Sequence, residues 1–365
     1  MATLMTGVTG FLGSELLPRW LAARPGEPVH CLVRARSAQQ LAARRENLLE
    51  WSDVAETERE RVHFHAGDLT RPDLGLADGG AGWVSEIDEI LHVAACTRFD
   101  LSLERARSIN VEGLNGLLGL AKRIRRLRRL HFVSTAYAEG VPQRDGQPPK
   151  FRNSYEQSKR EAEWRLQEHG GDVPWTIYRP SIIVGHRETG RTPHFRVLYE
   201  PMKWVVFARL EVLPCRPDVR LDVVPVDWVA DGIVEIGSRE DTAGGICPLT
   251  CGREKAISIQ QIIDLGVPAG NRWLRAAGQA EVVTPRAVTP EELMRSSAGG
   301  REDTEKTWAK LQQAIEMFLP YMLQEQTFEP EALPADLAAL CPSLRDYLAP
   351  IIEYALSRGF RDRDA

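Results

Sequence analysis

Tyr155 and Lys159 stand four residues apart in the stretch SYEQSK. On a helix this spacing puts both side chains on one face. A lone phenol, with a pKa of about 10, exchanges protons poorly at neutral pH. A neighbouring ammonium favours the phenolate and lowers that pKa. The pair can therefore give a proton to a carbonyl oxygen, or take one from it, while the carbonyl carbon changes oxidation state. Thr135, in FVSTAY, offers a hydroxyl to the same oxygen. Ser134 is the rival hydroxyl; alternation along a strand sends the two to opposite faces, so only one can serve.

A redox change needs an electron carrier, and TGVTGFLG at residues 6–13 offers a place to hold one. Gly7, Gly10 and Gly13 follow a short apolar run and open a helix-like stretch, the context that a dinucleotide loop requires. A helix start there aims unpaired N–H groups and a positive dipole end at a pyrophosphate. Gly7 permits the tight turn, Gly10 the approach of phosphate to backbone, and Gly13 the packing of helix on sheet; Thr9, Phe11 and Leu12 complete the loop. The next strand decides the dinucleotide. An acid at its end would suit the ribose 2′-hydroxyl of NAD, but this chain has CLVRARS. Arg34 stands where the acid would be and Arg36 follows. Guanidinium groups suit the 2′-phosphate of NADP, so the expected cofactor is NADPH. Asp68 and Leu69 are expected to meet the adenine, and Ala94 and Ala95 to leave room for the cofactor backbone.

The elements that must position these residues alternate. Strands are expected at residues 2–6, in PVHCLVRA, RVHFHAGDL, EILHVAAC, LHFVSTAY and WTIYRPSIIVG. Helices are expected from Leu12 to about Ala23 and in AQQLAARRENLLEW, SINVEGLNGLLGLAKRI and SYEQSKREAEWRLQEHG, the last with a glycine stop. Such alternation implies parallel pairing through right-handed crossovers. The fold class is therefore α/β, a doubly wound parallel Rossmann sheet with a smaller, mostly helical C-terminal substrate subdomain. Residues 1–185 plus about 222–255 are expected to form the NADP-binding domain. Residues 186–221 plus 256–365 are expected to form the substrate-binding subdomain, where Tyr199, Met202, Trp204, Val205 and Phe207 could line an acyl channel, face a membrane surface or simply form core.

Bulk properties narrow the class. The 365 residues carry a net charge of −5, which gives no global attraction to nucleic acid or anionic lipid. The run KRIRRLRRL (Lys122–Leu130) reads as the solvated end of a helix, where cations suit the dipole; a docking surface for an acidic carrier protein is the second reading. No apolar run suffices to span a bilayer and no signal pattern opens the chain, so the expected location is cytoplasmic, with peripheral membrane contact left open. The six cysteines are scattered, unlike a disulfide framework. Neither Cys247 with Cys251 nor His63 with His65 has further ligands in view, so no metal site is expected.

TGVTGFLG, GDL, HVAA, FVSTAY, YEQSK, YRPSIIVG and VVPVDWVAD, in order from residue 3 to about 235, resemble the extended short-chain dehydrogenase/reductase superfamily. The resemblance implies a catalytic triad of Thr135, Tyr155 and Lys159. It places Arg179, Pro180, Ser181 and Ile182 beside the nicotinamide and Asn110 as support for a proton-relay water. GFLGSELL, CLVRA, AACTRFD and VSTAYAEG look most like the acyl-thioester reductase branch, with the fatty acyl-CoA (male-sterility type) reductases and the terminal reductase domains of peptide and polyketide synthases. That implies an NADP-dependent oxidoreductase that converts an acyl thioester to an aldehyde or on to an alcohol. With no carrier or adenylation segment in view, the acyl group is expected on CoA or on a separate acyl or peptidyl carrier protein, or else the chain is one domain of a larger synthetase. The alternatives are an extended reductase of free ketones, aldehydes or hydroxy compounds, and a non-catalytic NADP sensor, which would not need Tyr155 and Lys159.

Overall fold

Short apolar runs bounded by turn residues supply the strands. They are β1 (Thr3–Thr6), β2 (Val29–Val33), β3 (Val62–Ala66), β4 (Glu89–His92), β5 (Arg129–Val133), β6 (Trp175–Pro180) and β7 (Ile246–Leu249). They form one seven-stranded sheet in the order β3-β2-β1-β4-β5-β6-β7, with every neighbouring pair parallel. The order reverses between β1 and β4, which opens a crevice at the carboxyl ends of the strands. Register brings those ends level: Thr6 lies opposite both Leu32 and His92, and Val133 opposite Tyr178.

The flanking helices are α1 (Phe11–Ala23), α2 (Ala38–Trp51), α3 (Leu103–Asn110), α4 (Glu112–Ala121) and α5 (Ser154–His169). Leu4, Ile90, Leu130 and Phe132 of the strands pack with Leu114 and Leu117 of α4 and Leu166 of α5 in one buried cluster. This computed structural model describes residues 1–76, 82–143, 146–169, 171, 173–297 and 317–363. The chain divides into two units: Met1–Pro180 with Asp227–Leu249 and Glu331–Pro334, and Ser181–Val226 with Thr250–Pro330 and Ala335–Ala365. Among the described residues no helix is long and apolar enough to cross a membrane.

The second unit contains the helices Tyr199–Phe207, Ile259–Ala276 and Leu344–Ser357. Ser258 and Ser343 each begin a helix with a reciprocal capping box. Asp222, fully buried, ties three segments together. Its carboxylate accepts backbone N–H groups from Cys251 at 2.9 Å, Gly252 at 3.3 Å and Phe328 at 3.3 Å.

Several local expectations are corrected. WTIYRPSIIVG is not one strand: β6 stops at Pro180, and Ile182–Val184 pairs in parallel with Val223–Pro225 in the second unit. The helix expected from Ser108 begins at Leu103, capped by the Ser102 hydroxyl, and breaks at Val111 into α3 and α4. The basic run Lys122–Leu130 lies beyond the end of α4 and enters β5, so those cations do not sit in the last turn of the helix. In LHFVSTAY the strand ends at Val133, though the Ser134 N–H still donates to the Tyr178 carbonyl of β6 at 2.7 Å, and Thr135, still extended, caps a 3-10 turn over Ala136–Glu139. The expected glycine stop of α5, at Gly170, and residues 298–316 and 364–365 of the C-terminal region lie outside the described residues.

Candidate active site

The glycine loop owes its shape to three close approaches. Gly7 has φ +74°, a conformation that non-glycine residues adopt only under strain. A Cβ on Gly7 would lie 2.4 Å from the Ala94 nitrogen at the end of β4. One on Gly13 would lie 2.1 Å from the Gly7 carbonyl oxygen, so Gly13 lets the helix close on the turn itself rather than on the sheet. Gly10 is extended and opens α1 with no side-chain cap and no acid in the first turn. Its N–H donates to the Gly7 carbonyl at 2.9 Å. The free N–H groups of an uncapped first turn are the donors an anion takes. Thr9 is exposed, Phe11 half-buried and Leu12 buried. The Thr6 hydroxyl accepts the Ala94 N–H at 3.3 Å and lies 2.7 Å from His92 Nδ1. This fixes the end of β4 beside the loop, with Ala94 and Ala95 half-buried there. Burial, and then the charge of Lys159, press the His92 imidazole down to about 3, so it stays neutral.

At the ends of β2 and β3, Arg34 is exposed directly after Val33, and Arg36 donates its backbone N–H to Gln40 Oε1 at 2.7 Å as α2 begins. Burial pushes the Asp68 carboxyl up, but the Thr70 backbone and hydroxyl and the charges of Arg34 and Arg71 outweigh it and hold the group below its ordinary value. Asp68 Oδ1 accepts from both Thr70 groups, at 2.9 Å and 2.7 Å. Arg71 was not expected at this corner; it lies 37 residues beyond Arg34 in sequence and only the pairing of β2 with β3 brings it near. Leu69 packs into the main core, facing Gly113.

The three residues with chemistry converge at the carboxyl end of β5. The Thr135 hydroxyl lies near the Tyr155 phenol and favours its ionised form. Thr135 Oγ1 also donates to the Pro180 carbonyl at 3.4 Å and accepts the Tyr137 N–H at 3.3 Å. Burial pushes the Tyr155 phenol above its ordinary value; the Thr135 hydrogen bond pulls it down, and the charges of Glu156 and Cys96 push it up. Phe99 stacks on the Tyr155 ring, with centroids 5.9 Å apart, a contact that no motif announced. Lys159, one turn along α5, is almost wholly buried. Its Nζ donates to the Val133 carbonyl at 2.7 Å and lies 4.0 Å from the Phe132 ring centroid. Burial lowers its pKa to about 7, against the opposing charge of Glu163. Lys159, expected to lower the phenol pKa, is not among the groups that shift Tyr155 in this geometry, and burial dominates. Ser134 Oγ is buried with no hydrogen-bond partner among the described residues.

Asn110 is fully engaged as a clamp. Its Oδ1 accepts the Cys96 N–H at 2.8 Å, and its Nδ2 donates to the Cys96 carbonyl at 3.1 Å and the Ser158 hydroxyl at 2.9 Å. It ties the loop after β4 to α5, so both of its N–H donors are already spent. The Arg179 side chain goes to Glu163, with Nε at 2.9 Å and Nη2 at 2.6 Å, and to Glu139 at 3.0 Å. Pro180 ends β6 in the first unit, while buried Ser181 and Ile182 belong to the second. Of the aromatic and apolar residues expected to line an acyl channel, Met202 and Val205 line a cavity of the second unit. Tyr199 is buried, its hydroxyl accepting the Gly185 N–H, and Phe207 is exposed. His65 Nε2 lies 2.9 Å from His30 Nδ1. Among the described residues no three potential ligands are gathered to hold a metal.

The family model described as Male sterility protein matches residues 5–233. Isonitrile lipopeptide synthase of Streptomyces coeruleorubidus is 33% identical over 260 residues, 66% of this chain and 17% of that protein. Fatty acyl-CoA reductase wat of Drosophila melanogaster is 26% identical over 271 residues, 63% of this chain and 52% of that protein. The alignments thus span about half or less of these relatives. Among solved structures, the terminal R domain from the myxalamid PKS-NRPS pathway matches with a TM-score of 0.76 and 26% identity, covering 99% of this chain and 92% of that one. The family match runs unbroken from the glycine loop through the Tyr155–Lys159 helix, and the chain belongs to the Male sterility protein family, within the extended short-chain dehydrogenase/reductase fold.

Proposed function

We propose that this chain is an NADPH-dependent oxidoreductase that reduces an acyl thioester, carried on CoA or on a separate acyl or peptidyl carrier protein, to an aldehyde. The observation that carries the reading is the gathering of Thr135, Tyr155 and, one helical turn along, Lys159 at the carboxyl edge of a dinucleotide-type sheet. The loop around Gly7, Gly10 and Gly13 and the uncapped start of α1 fit a pyrophosphate. Arg34 and Arg71, both close enough to act on Asp68, offer guanidinium groups to a 2′-phosphate. When bound, NADPH supplies the hydride.

The remaining work falls to side chains. Charge gathers on the carbonyl oxygen as the thioester is reduced, and the hydroxyls of Thr135 and Tyr155 donate to it. Tyr155 gives up its proton, and the ammonium of Lys159 one turn along the helix favours the phenolate that remains. Collapse of the hemithioacetal breaks the carbon–sulfur bond and frees the thiol. The same hydroxyl pair would serve a second round on the aldehyde, giving the alcohol. Residues of the first unit hold the cofactor, and the segments 186–221 and 256–365 recognise the acyl part. Its cysteines, all unpaired, suit a reducing cytoplasm.

The test is incubation of the chain with NADPH and decanoyl-CoA or decanoyl-pantetheine, following cofactor oxidation, free thiol and trapped aldehyde. The expected result is one thiol released for each aldehyde formed. Oxidation of NADPH by free aldehydes or ketones alone, with no thiol from either thioester, would overturn the reading in favour of a free-carbonyl reductase that uses the same three residues.

A further inference from the structure

Within the second unit lies a cavity of about 120 Å³. Met202 and Val205 of the helix Tyr199–Phe207 face it, with Ile263 and Val267 of the helix Ile259–Ala276 and Ile352 and Leu356 of the helix Leu344–Ser357. Its lining carries no charged side chain, and the Tyr321 hydroxyl is the one polar side-chain group in it among the described residues. We propose that this cavity binds an unsubstituted hydrocarbon chain, the acyl tail of the thioester, and rejects chains that carry hydroxyl, amide or charged groups at the buried end. The source of the chain rests on the thioester reading; the binding itself does not.

Three observations carry it. Apolar side chains that face an unfilled space of this size lack packing partners until something fills it, and an engineered apolar cavity of about 150 Å³ takes up benzene. By that scale the space accepts about six carbon atoms. Exposed apolar side chains also adjoin the lining in sequence: Phe207 follows Val206, Val283 follows Val282 and Met317 precedes Phe318, which gives a chain apolar surface outside the cavity as well. Val197, itself a lining residue, holds φ +50°. A β-branched residue adopts that conformation only under strain, and such strain concentrates at binding sites. A peptidyl chain would bury amide groups here with no partners, a heavy penalty, whereas each methylene entering the cavity strengthens binding about fourfold.

The test measures displacement of cis-parinaric acid from the full chain by straight-chain carboxylates of four to twelve carbons, without NADPH. The expected result is saturable binding that strengthens about fourfold per methylene and levels off once about six carbons are buried. ω-Hydroxydecanoate should compete at least about tenfold more weakly than decanoate. Val205→Asp should weaken binding at least about tenfold, and Met202→Trp should bring the plateau to shorter chains, with NADPH affinity unchanged in both. No saturable binding, equal competition by the hydroxylated acid, no plateau, or variants that bind like the parent would overturn the proposal. So would capture by dioleoylphosphatidylcholine vesicles without displacement by decanoate, which would assign the surface to membrane contact. If both variants fail to fold, the chain-length series on the parent protein still decides. Carboxylates that behave as expected while neither decanoyl thioester is reduced would leave the site standing and remove the thioester reading. Thioester reduction with no chain-length dependence would do the reverse.

Discussion

Replacing Lys159 by methionine should stabilise the fold while destroying the chemistry. Lys159 is 1% exposed, and burial brings its pKa from an ordinary 10.5 to about 7. At about 1.4 kcal/mol per pH unit, keeping this ammonium charged in the fold costs on the order of 5 kcal/mol. Methionine removes that cost but leaves the Val133 carbonyl, now 2.7 Å from Nζ, without its donor, a loss of about 1–3 kcal/mol. The variant should therefore be more stable by about 3 kcal/mol at pH 6. The sign follows from proton counts. Between pH 7 and 10.5 the unfolded chain keeps the lysine proton and the folded chain has lost it, so parent stability rises with pH in that window. Below pH 7 both states hold the proton and the gap is constant. Urea unfolding of parent and Lys159→Met from pH 6 to 10, followed by tryptophan fluorescence, should show a gap that is largest at pH 6–7 and shrinks towards pH 10. A variant less stable than the parent at pH 6, or a gap independent of pH, would refute the idea that this lysine is held against its solvation.

Tyr155→Phe should lower turnover by a factor of about 10²–10⁴, the range of a lost proton donor, while NADPH affinity by fluorescence titration stays within about twofold; full activity would remove Tyr155 from the chemistry. Arg34→Ala should weaken NADPH binding about 10–100-fold, the loss of one or two charge-assisted hydrogen bonds, and leave NADH binding nearly unchanged; equal losses for both cofactors would show that Arg34 does not meet the 2′-phosphate. Asp222→Ala should destabilise the protein by about 3–5 kcal/mol in urea unfolding, because three backbone N–H groups lose their buried acceptor. A loss under 1 kcal/mol would mean that water reaches those groups.

The strands and helices of the first unit were legible because period and punctuation agreed with each other. β7 was missed because ICPL follows Gly244-Gly245 and contains Pro248, which is poor strand composition, tolerated here because this strand pairs only with β6 at the edge of the sheet. Gly7 could be read from the turn it makes, whereas the close approach of Ala94 that also demands glycine there depends on a pairing 86 residues long. Arg34 was legible by position, but its neighbour Arg71 and the carboxylate of Asp68 meet it only through β3. Asn110 shows the limit most clearly. Its residue type and its place on a helix were visible, but the three hydrogen bonds that make it a clamp reach residues 14 and 48 positions away.

The low pKa of Lys159 depends on an arrangement that keeps a nearby carboxylate occupied. Glu163 lies one turn further along α5, is fully buried, and is the one charge that opposes the fall. A free carboxylate at that spacing would pair with Lys159 and hold it charged. Arg179 prevents this by taking both Glu163 oxygens in a bidentate bridge at 2.9 Å and 2.6 Å, the geometry in which guanidinium outcompetes ammonium. Arg160 adds a third contact at 3.3 Å. Lys159 is left to donate to a neutral carbonyl at the end of β5, beside the hydroxyls of Thr135 and Tyr155. Arg179, placed by resemblance beside the nicotinamide, therefore acts at one remove: it fixes the charge balance around Lys159, and the sheet supplies the strand, β6, from which it does so.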